Sequence, residues 1–336
     1  MPEITVLLCV FNGADHLKEA INSVLQQSFK DFELLIIDDG STDGTSGIVA
    51  NIRDDRLRSI RHEVNRGLIS RLNEGLDEAV GRYIARMDAD DLCHRERLDR
   101  QFHFLESHPE VGVLGTAVRI INGEGRGNVV YEYPEEHEVI EWVLPFVCPL
   151  AHPSIMMRRD LVRSAGGYAA SAVHAEDYDL WERLVPLTRF ANLQLPLLDL
   201  RKHSASVTAR NATIHQETNL AVSLRGLIRR LGRPCSSTVV ACLRRGFACC
   251  NSAVPEAAAV LLELYRSAST NSSVAHAVIR RETAIALTLL ALKSSRVRVW
   301  LDLIYQAFRT DPGVLGGLSR RFLGRLTGWG VHRLVG

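Results

Sequence analysis

The strongest constraint on the fold lies in the first ninety residues, where short apolar runs alternate four times with helical patterns. "ITVLLCV" (4–10) and "FELLIID" (32–38) are nearly continuous apolar runs, without the polar alternation of a half-exposed strand, so both faces call for burial. "LRSIRH" and "RYIARMD" read as a third and a fourth strand. Between the strands, Leu17, Ile21, Val24 and Leu25 recur at helical spacing, and Ser41 or Thr42 could cap a second helix. "NRGLISRLNEGLDEAV" is an amphipathic third helix. This alternation predicts a parallel, doubly wound sheet with helices on both faces. Ligands of such sheets bind beyond the carboxyl ends of the strands. Asp38-Asp39 and Asp88-Ala89-Asp90 both close strands, so they are predicted to meet over one crevice.

Beyond residue 110 the pattern loosens. "VGVLGTAVRII" and "GNVVYEY" read as strands joined by a Gly-rich turn, "HPSIMMRR" as another strand, and "AEDYDLWERLV" as a helix. After His203 the strands stop, and residues 214–231, 236–250, 255–268, 274–294 and 297–309 all read as helices. Charge divides in the same place. Residues 1–209 carry 22 Lys and Arg against 33 Asp and Glu, a net of −11; residues 210–336 carry 18 against 6, a net of +12. An acidic part suited to cations therefore precedes a basic part suited to something anionic. The boundary predicts two domains, 1–209 and 210–336. The seven cysteines include Cys235, Cys242 and Cys249 at seven-residue spacing, which reads as one face of a helix with buried reduced thiols. There is no basic leader before an apolar segment and no apolar stretch of membrane-spanning length, so a cytoplasmic protein is expected.

Asp88 and Asp90 stand two apart just past a strand, where extended backbone sends both to one side. Two converging carboxylates raise one another's pKa unless a cation lies between them, and oxygen donors alone suit a hard ion such as Mg²⁺ or Mn²⁺. The competing use is at the start of the next helix, whose first turn favours acids, and Asp91 is assigned to that. Asp38 and Asp39 fit two uses as well: good turn chemistry in "DDGST", or acceptance of hydrogen bonds from a nucleobase or ribose.

"ITVLLCVFNGADHLKEAINSVLQQSFKDFELLIIDDGSTDGT", "NRGLISRLNEGL", "GRYIARMDADD" and "AEDYDLWERL" together, in order and spacing, resemble the family-2 glycosyltransferases over about residues 1–205. The resemblance implies a GT-A fold, that is, an α/β, Rossmann-like nucleotide-sugar-binding mixed sheet with helices on both faces. The basic helical C-terminal extension lies outside the resemblance. It implies an inverting transfer from a UDP-sugar, or another nucleoside diphosphate sugar, to a glycan or lipid-linked acceptor, as in cell-surface polysaccharide synthesis. By the same resemblance Val10, Asp38, Asp39, Arg66, Asp88 and Ala89 would hold the nucleotide sugar, with Asp39 on the base. Asp90, with His203 as a further ligand, would hold Mn²⁺ or Mg²⁺. Asp177 would be the catalytic base, with Glu176 beside it, and His152 and Arg201 would lie on the acceptor or diphosphate side. Leu200 stands where the family usually has Tyr, and the "QxxRW" motif of processive synthases is absent, which implies single additions.

Two other classes compete. A nucleotidyltransferase would carry a Gly- and Lys/Arg-rich phosphate loop after the first strand, and "VFNGADH" carries none. A non-catalytic nucleotide-sugar-binding subunit, docking through the basic C-terminal helices, would be expected to lose an acid, yet Asp39, Asp88, Asp90 and Asp177 are all present. Leu318, Phe322, Leu326 and Trp329, with Arg320, Arg321 and Arg325 between them, suit either peripheral contact with the inner face of a membrane or a packed stripe with a solvated basic face. No nucleic-acid motif is present.

Overall fold

The structure, a computed structural model, describes residues 1–202, 212–244, 250–268, 270, 272–314 and 333–334. The four expected strands form the centre of the sheet as β1 (Ile4–Val10), β2 (Phe32–Asp38), β3 (Leu57–Arg61) and β4 (Tyr83–Met87). They lie parallel in the order β4-β1-β2-β3. Every residue of β2 and β4 is buried, as their largely apolar runs require, with Glu33, Asp38 and Arg86 as buried charged exceptions. The crossovers are α1 (Leu17–Leu25), α2 (Thr45–Ala50) and α3 (Leu68–Glu78), which turn Leu17, Ile21 and Val24 or Leu72 and Leu76 inward. Gly75 lets α3 approach β1 closely, since a Cβ there would sit 2.3 Å from Leu7 Cδ1.

Beyond β4 the parallel pattern ends and the sheet becomes mixed. After the short β5 (Leu92–Cys93) and α4 (Arg97–Ser107) come β6 (Val111–Ile121), β7 (Val129–Tyr131) and β8 (Met156–Arg158). β8 runs antiparallel to β4 and β6, and β7 antiparallel to β6. Two further helices, α6 (Arg159–Ser164) and α7 (Glu176–Leu184), lead to β9 (Arg189–Arg201), which lies parallel to β6 and also pairs β5. A two-residue strand, Arg333–Leu334, pairs β7 at the sheet edge. The sequence pattern does not announce β9 as a strand, because Pro196 lacks an amide donor and demotes the segment. The structure accommodates it at a register shift, where Thr116 pairs Leu193 but Ala117 pairs Pro196.

The chain divides into two compact units, one of Met1–Tyr133, Leu150–His215 and His332–Gly336, the other of Pro134–Pro149 and Gln216–Val331. The first carries the sheet. The second contains α5 (His137–Val143), α8 (Ala212–Leu231, most of it), α9 (Ser237–Leu243), α10 (Val254–Ser267), α11 (Ser273–Lys293) and α12 (Val297–Thr310). Its apolar core joins Val143 of α5 to Val240, Leu261 and Leu287. Cys242 is disulfide-bonded rather than the reduced thiol expected. Among the described residues no helix is long and apolar enough to cross a membrane. The Leu318–Trp329 stripe lies outside them.

Candidate active site

The carboxyl end of β4 delivers Asp88, Asp90 and Asp91 into one cluster, with one carboxylate oxygen from each within 4.8 Å of the others. Asp91 does not cap the following helix, as α4 starts only at Arg97. Instead Asp91 is buried, and its Oδ1 accepts the backbone N–H of Arg201 at 2.8 Å. Its Oδ2 is buried with no hydrogen-bond partner among the described residues. Burial, reinforced by Asp88 and Asp90, pushes the Asp91 carboxyl well above the usual carboxylate range. Burial raises Asp88 as well, against the opposing pull of Arg86, whose guanidinium is ion-paired with it. Three convergent carboxylates and an orphaned buried oxygen fit a hard divalent cation.

Arg201 faces this cluster from β9, but its side chain is not turned to a diphosphate. Its Nε donates to the carbonyl of Asp90 (2.8 Å) and its Nη1 to that of Gly123 (2.7 Å). Its Nη2 donates to Glu19 of α1 (2.9 Å). With 1% of its side chain exposed, it clamps the acidic loop rather than presenting a charge to a ligand. His203, expected as a metal ligand, lies outside the described residues.

At the neighbouring strand end, Val10 closes β1 and its carbonyl accepts the N–H of Asp39 at 2.8 Å. Asp38 and Asp39 are both buried. Asp38 Oδ1 accepts the N–H of Ser41, which is the turn role, while Oδ2 has no hydrogen-bond partner among the described residues, with Arg61 Nε at 3.9 Å. Gly40 between them takes a left-handed φ of 78°, and its Cα packs against the 63–65 backbone where a Cβ would stand 3.0 Å from Asn65 N. Asp39 accepts the N–H groups of Arg66 (2.9 Å) and Gly67 (2.8 Å), and Arg71 Nε at 2.5 Å. Arg66 thus meets the site through its backbone, with an exposed side chain. The basic side chain delivered here is Arg71, which sequence reasoning missed. It also binds Glu74 and the Val64 carbonyl. Its position on the buried face of α3, one turn from the helix start beside Leu72 and Leu76, was the available signal.

The third contribution comes from α7. Fully buried Trp181, with Tyr178 and Leu180, anchors the helix, and Arg183, paired with Asp179 of the same helix, ties it to the carbonyls of Ala165 and Gly167. Its first turn presents Glu176 and Asp177, both half-buried. Asp177 Oδ1 accepts the N–H of Tyr178 at 2.7 Å. Burial and the adjacent Asp177 push Glu176 up to about 7, with Asp88 adding to the effect and Arg86 opposing it. Asp177 in turn acts on Asp88. The two acidic groups therefore share one electrostatic site, with the buried Arg86 within reach of both. His152 is buried beneath it, bonded to the Tyr168 hydroxyl at 2.9 Å and set edge-on to Trp181. Burial, then Arg86, drives its pKa well down, so the ring is neutral and packs rather than reaching a ligand. Ala89, between the two acids, packs against the main core.

A mixed sheet with acids gathered at its strand ends is the GT-A arrangement, and sequence comparison agrees. Residues 5–165 match the model of glycosyl transferase family 2. The chain is 34% identical over 245 residues to the putative glycosyltransferase EpsE of Bacillus subtilis, covering 71% of this chain and 86% of that one. It is 31% identical over 235 residues to the O-antigen biosynthesis glycosyltransferase WbnJ of Escherichia coli, covering 68% and 89%. Residues 1–349 of Staphylococcus aureus TarS, solved with UDP-GlcNAc, share the fold with a TM-score of 0.56 at 16% identity, covering 94% of this chain and 92% of that one. The chain belongs to glycosyl transferase family 2 and is a glycosyltransferase of GT-A fold.

Proposed function

We propose that the chain transfers one sugar from a UDP-linked donor, with inversion, to a glycan or lipid-linked acceptor in cell-surface polysaccharide synthesis. The observation that carries this reading is the sharing of one electrostatic site by Asp88-Asp90-Asp91 and Glu176-Asp177. An in-line displacement at the anomeric carbon needs a base on one side and charge neutralisation of the departing diphosphate on the other. The name of WbnJ supports the polymer context, and the UDP-GlcNAc bound by TarS supports the donor.

In this reading residues 1–209 form the catalytic domain. Val10, Asp38 and Asp39 line the nucleoside end, with Arg71 rather than the Arg66 side chain as their cationic partner. Asp88 and Ala89 follow the ribose, and Asp90 with Asp91 holds Mn²⁺ or Mg²⁺. When bound, the cation neutralises the diphosphate. Asp177 takes the proton of the acceptor hydroxyl. Glu176 beside it, raised to about 7, is protonated for part of the time near neutrality. Arg201 and His152 hold the site in shape.

The test is a panel of nucleotide sugars with acceptor glycans, the product anomer being read by proton NMR. An α-linked UDP donor is expected to give a β-linked product. A retained anomer refutes the single displacement, and transfer from guanosine or thymidine donors alone refutes the UDP assignment.

A further inference from the structure

The outer face of α12 is apolar, aromatic and uncovered among the described residues. Leu303 and Ala307 are buried where the helix packs on α11, next to the Trp300 edge of that face. At 100° per residue, the exposed Trp300, Val297, Phe308, Leu301 and Tyr305 fall on one arc of about 140°, within which Ile304 is half-buried against the helical core. Val297 is 72% exposed, Tyr305 59%, Leu301 55% and Phe308 47%. A contiguous apolar stripe of this kind on a surface helix marks an interaction site.

Its borders say which partner it fits. Arg298 and Arg309 flank one side and Arg296 precedes the helix, all three exposed. The one acid on the helix, Asp302, accepts a hydrogen bond from Gln306. Residues 210–336 carry a net charge of +12. A second copy packed antiparallel on a two-fold axis would set this face against itself and bring arginine borders together, which repels. An anionic surface has no such conflict. Trp300 and Tyr305 suit the headgroup level, and α12, at 14 residues, is too short to span a bilayer.

We propose that α12 docks flat on an anionic lipid bilayer. Trp300, Leu301, Tyr305 and Phe308 enter the acyl boundary while Arg296, Arg298 and Arg309 meet lipid phosphates. The inference does not depend on the donor or acceptor of the transferase.

The experiment is co-sedimentation of the full chain with phosphatidylcholine vesicles, with and without phosphatidylglycerol, over a salt series. Wild type is expected to bind the anionic vesicles and to weaken as salt rises. Trp300→Ala with Phe308→Ala should lower partitioning about tenfold or more. Arg298→Glu with Arg309→Glu should also lower it and flatten the salt dependence. Val274→Ala, at an exposed apolar position on α11, should leave it unchanged. Circular dichroism and urea unfolding establish that each variant is folded. No vesicle binding by wild type, or equal binding by the folded aromatic variant, overturns the proposal. A wild-type dimer that Trp300→Asp dissociates, without lipid binding, assigns the face to a second copy instead.

Discussion

Replacing Arg201 separates two accounts of a buried arginine beside an acidic site. The guanidinium donates to the carbonyls of Asp90 and Gly123 and pairs with Glu19, and its side chain is 1% exposed. Arg201→Met leaves the carbonyls of Asp90 and Gly123 without their charged donor. Hydrogen bonds to a charged group are worth about 1.5–3 kcal/mol each. The pair with Glu19, whose own side chain is 62% exposed, adds less than about 1 kcal/mol. Methionine recovers some of the packing, so a loss of about 3–5 kcal/mol is expected. The assay is native-state hydrogen exchange of the β4 amides, supported by urea unfolding. Arg201→Lys decides between the accounts, because an ammonium keeps the charge but cannot reproduce the fork that reaches four acceptors. If Arg201 clamps the loop, Lys is nearly as destabilising as Met, and donor affinity falls in step with cation affinity. A folded Met variant within about 0.5 kcal/mol of wild type, with donor binding alone lost, would refute the clamp.

Two further outcomes follow from the acidic cluster. Asp91→Asn keeps an oxygen for the Arg201 N–H and removes a buried charge, so the cation-free protein should be at least as stable in urea. Its Mn²⁺ affinity, measured by titration calorimetry, should fall about tenfold or more. Glu176 has a folded-state pKa of about 7, above its ordinary value of 4.5. The folded state therefore holds that proton more tightly than the unfolded chain, and the stabilisation is complete below about pH 4.5 and lost as pH rises towards 7. Cation-free wild type should lose stability between pH 5 and about 7.5, and Glu176→Gln should lose markedly less. Identical pH profiles would contradict the raised pKa.

Much of the sheet was legible because burial on both faces writes itself as nearly continuous apolar runs, as in "ITVLLCV" and "FELLIID". The strand ends carrying Asp38-Asp39 and Asp88-Ala89-Asp90 followed from the same pattern. β9 was not legible, because Pro196 is tolerated only through a register shift with β6 that no local pattern encodes. The turn of the sheet from parallel to mixed beyond β4 was likewise set by long-range pairing of β8 with β4 and β6. At the site, sequence identified which residues carry charge but not where each charge points. Arg201 reads as a free cation until its four acceptors, drawn from α1, the acidic loop and the turn after β6, are seen together. His152, a lone histidine before proline that reads more readily as structural than as a ligand, packs against Tyr168 and Trp181. Asp91 reads as a helix cap, yet it offers the orphaned oxygen of the cluster.

The most direct test of the central claim is nucleoside diphosphate release from a UDP-sugar with acceptor, in Mn²⁺, Mg²⁺ or EDTA, for wild type, Asp90→Ala and Asp177→Asn. The account predicts cation-dependent turnover that falls by about a hundredfold or more in both variants. Donor binding should persist in Asp177→Asn and weaken in Asp90→Ala. Turnover that survives EDTA, or that survives Asp177→Asn undiminished, would contradict the assignment of the two acidic groups to the two sides of the reaction.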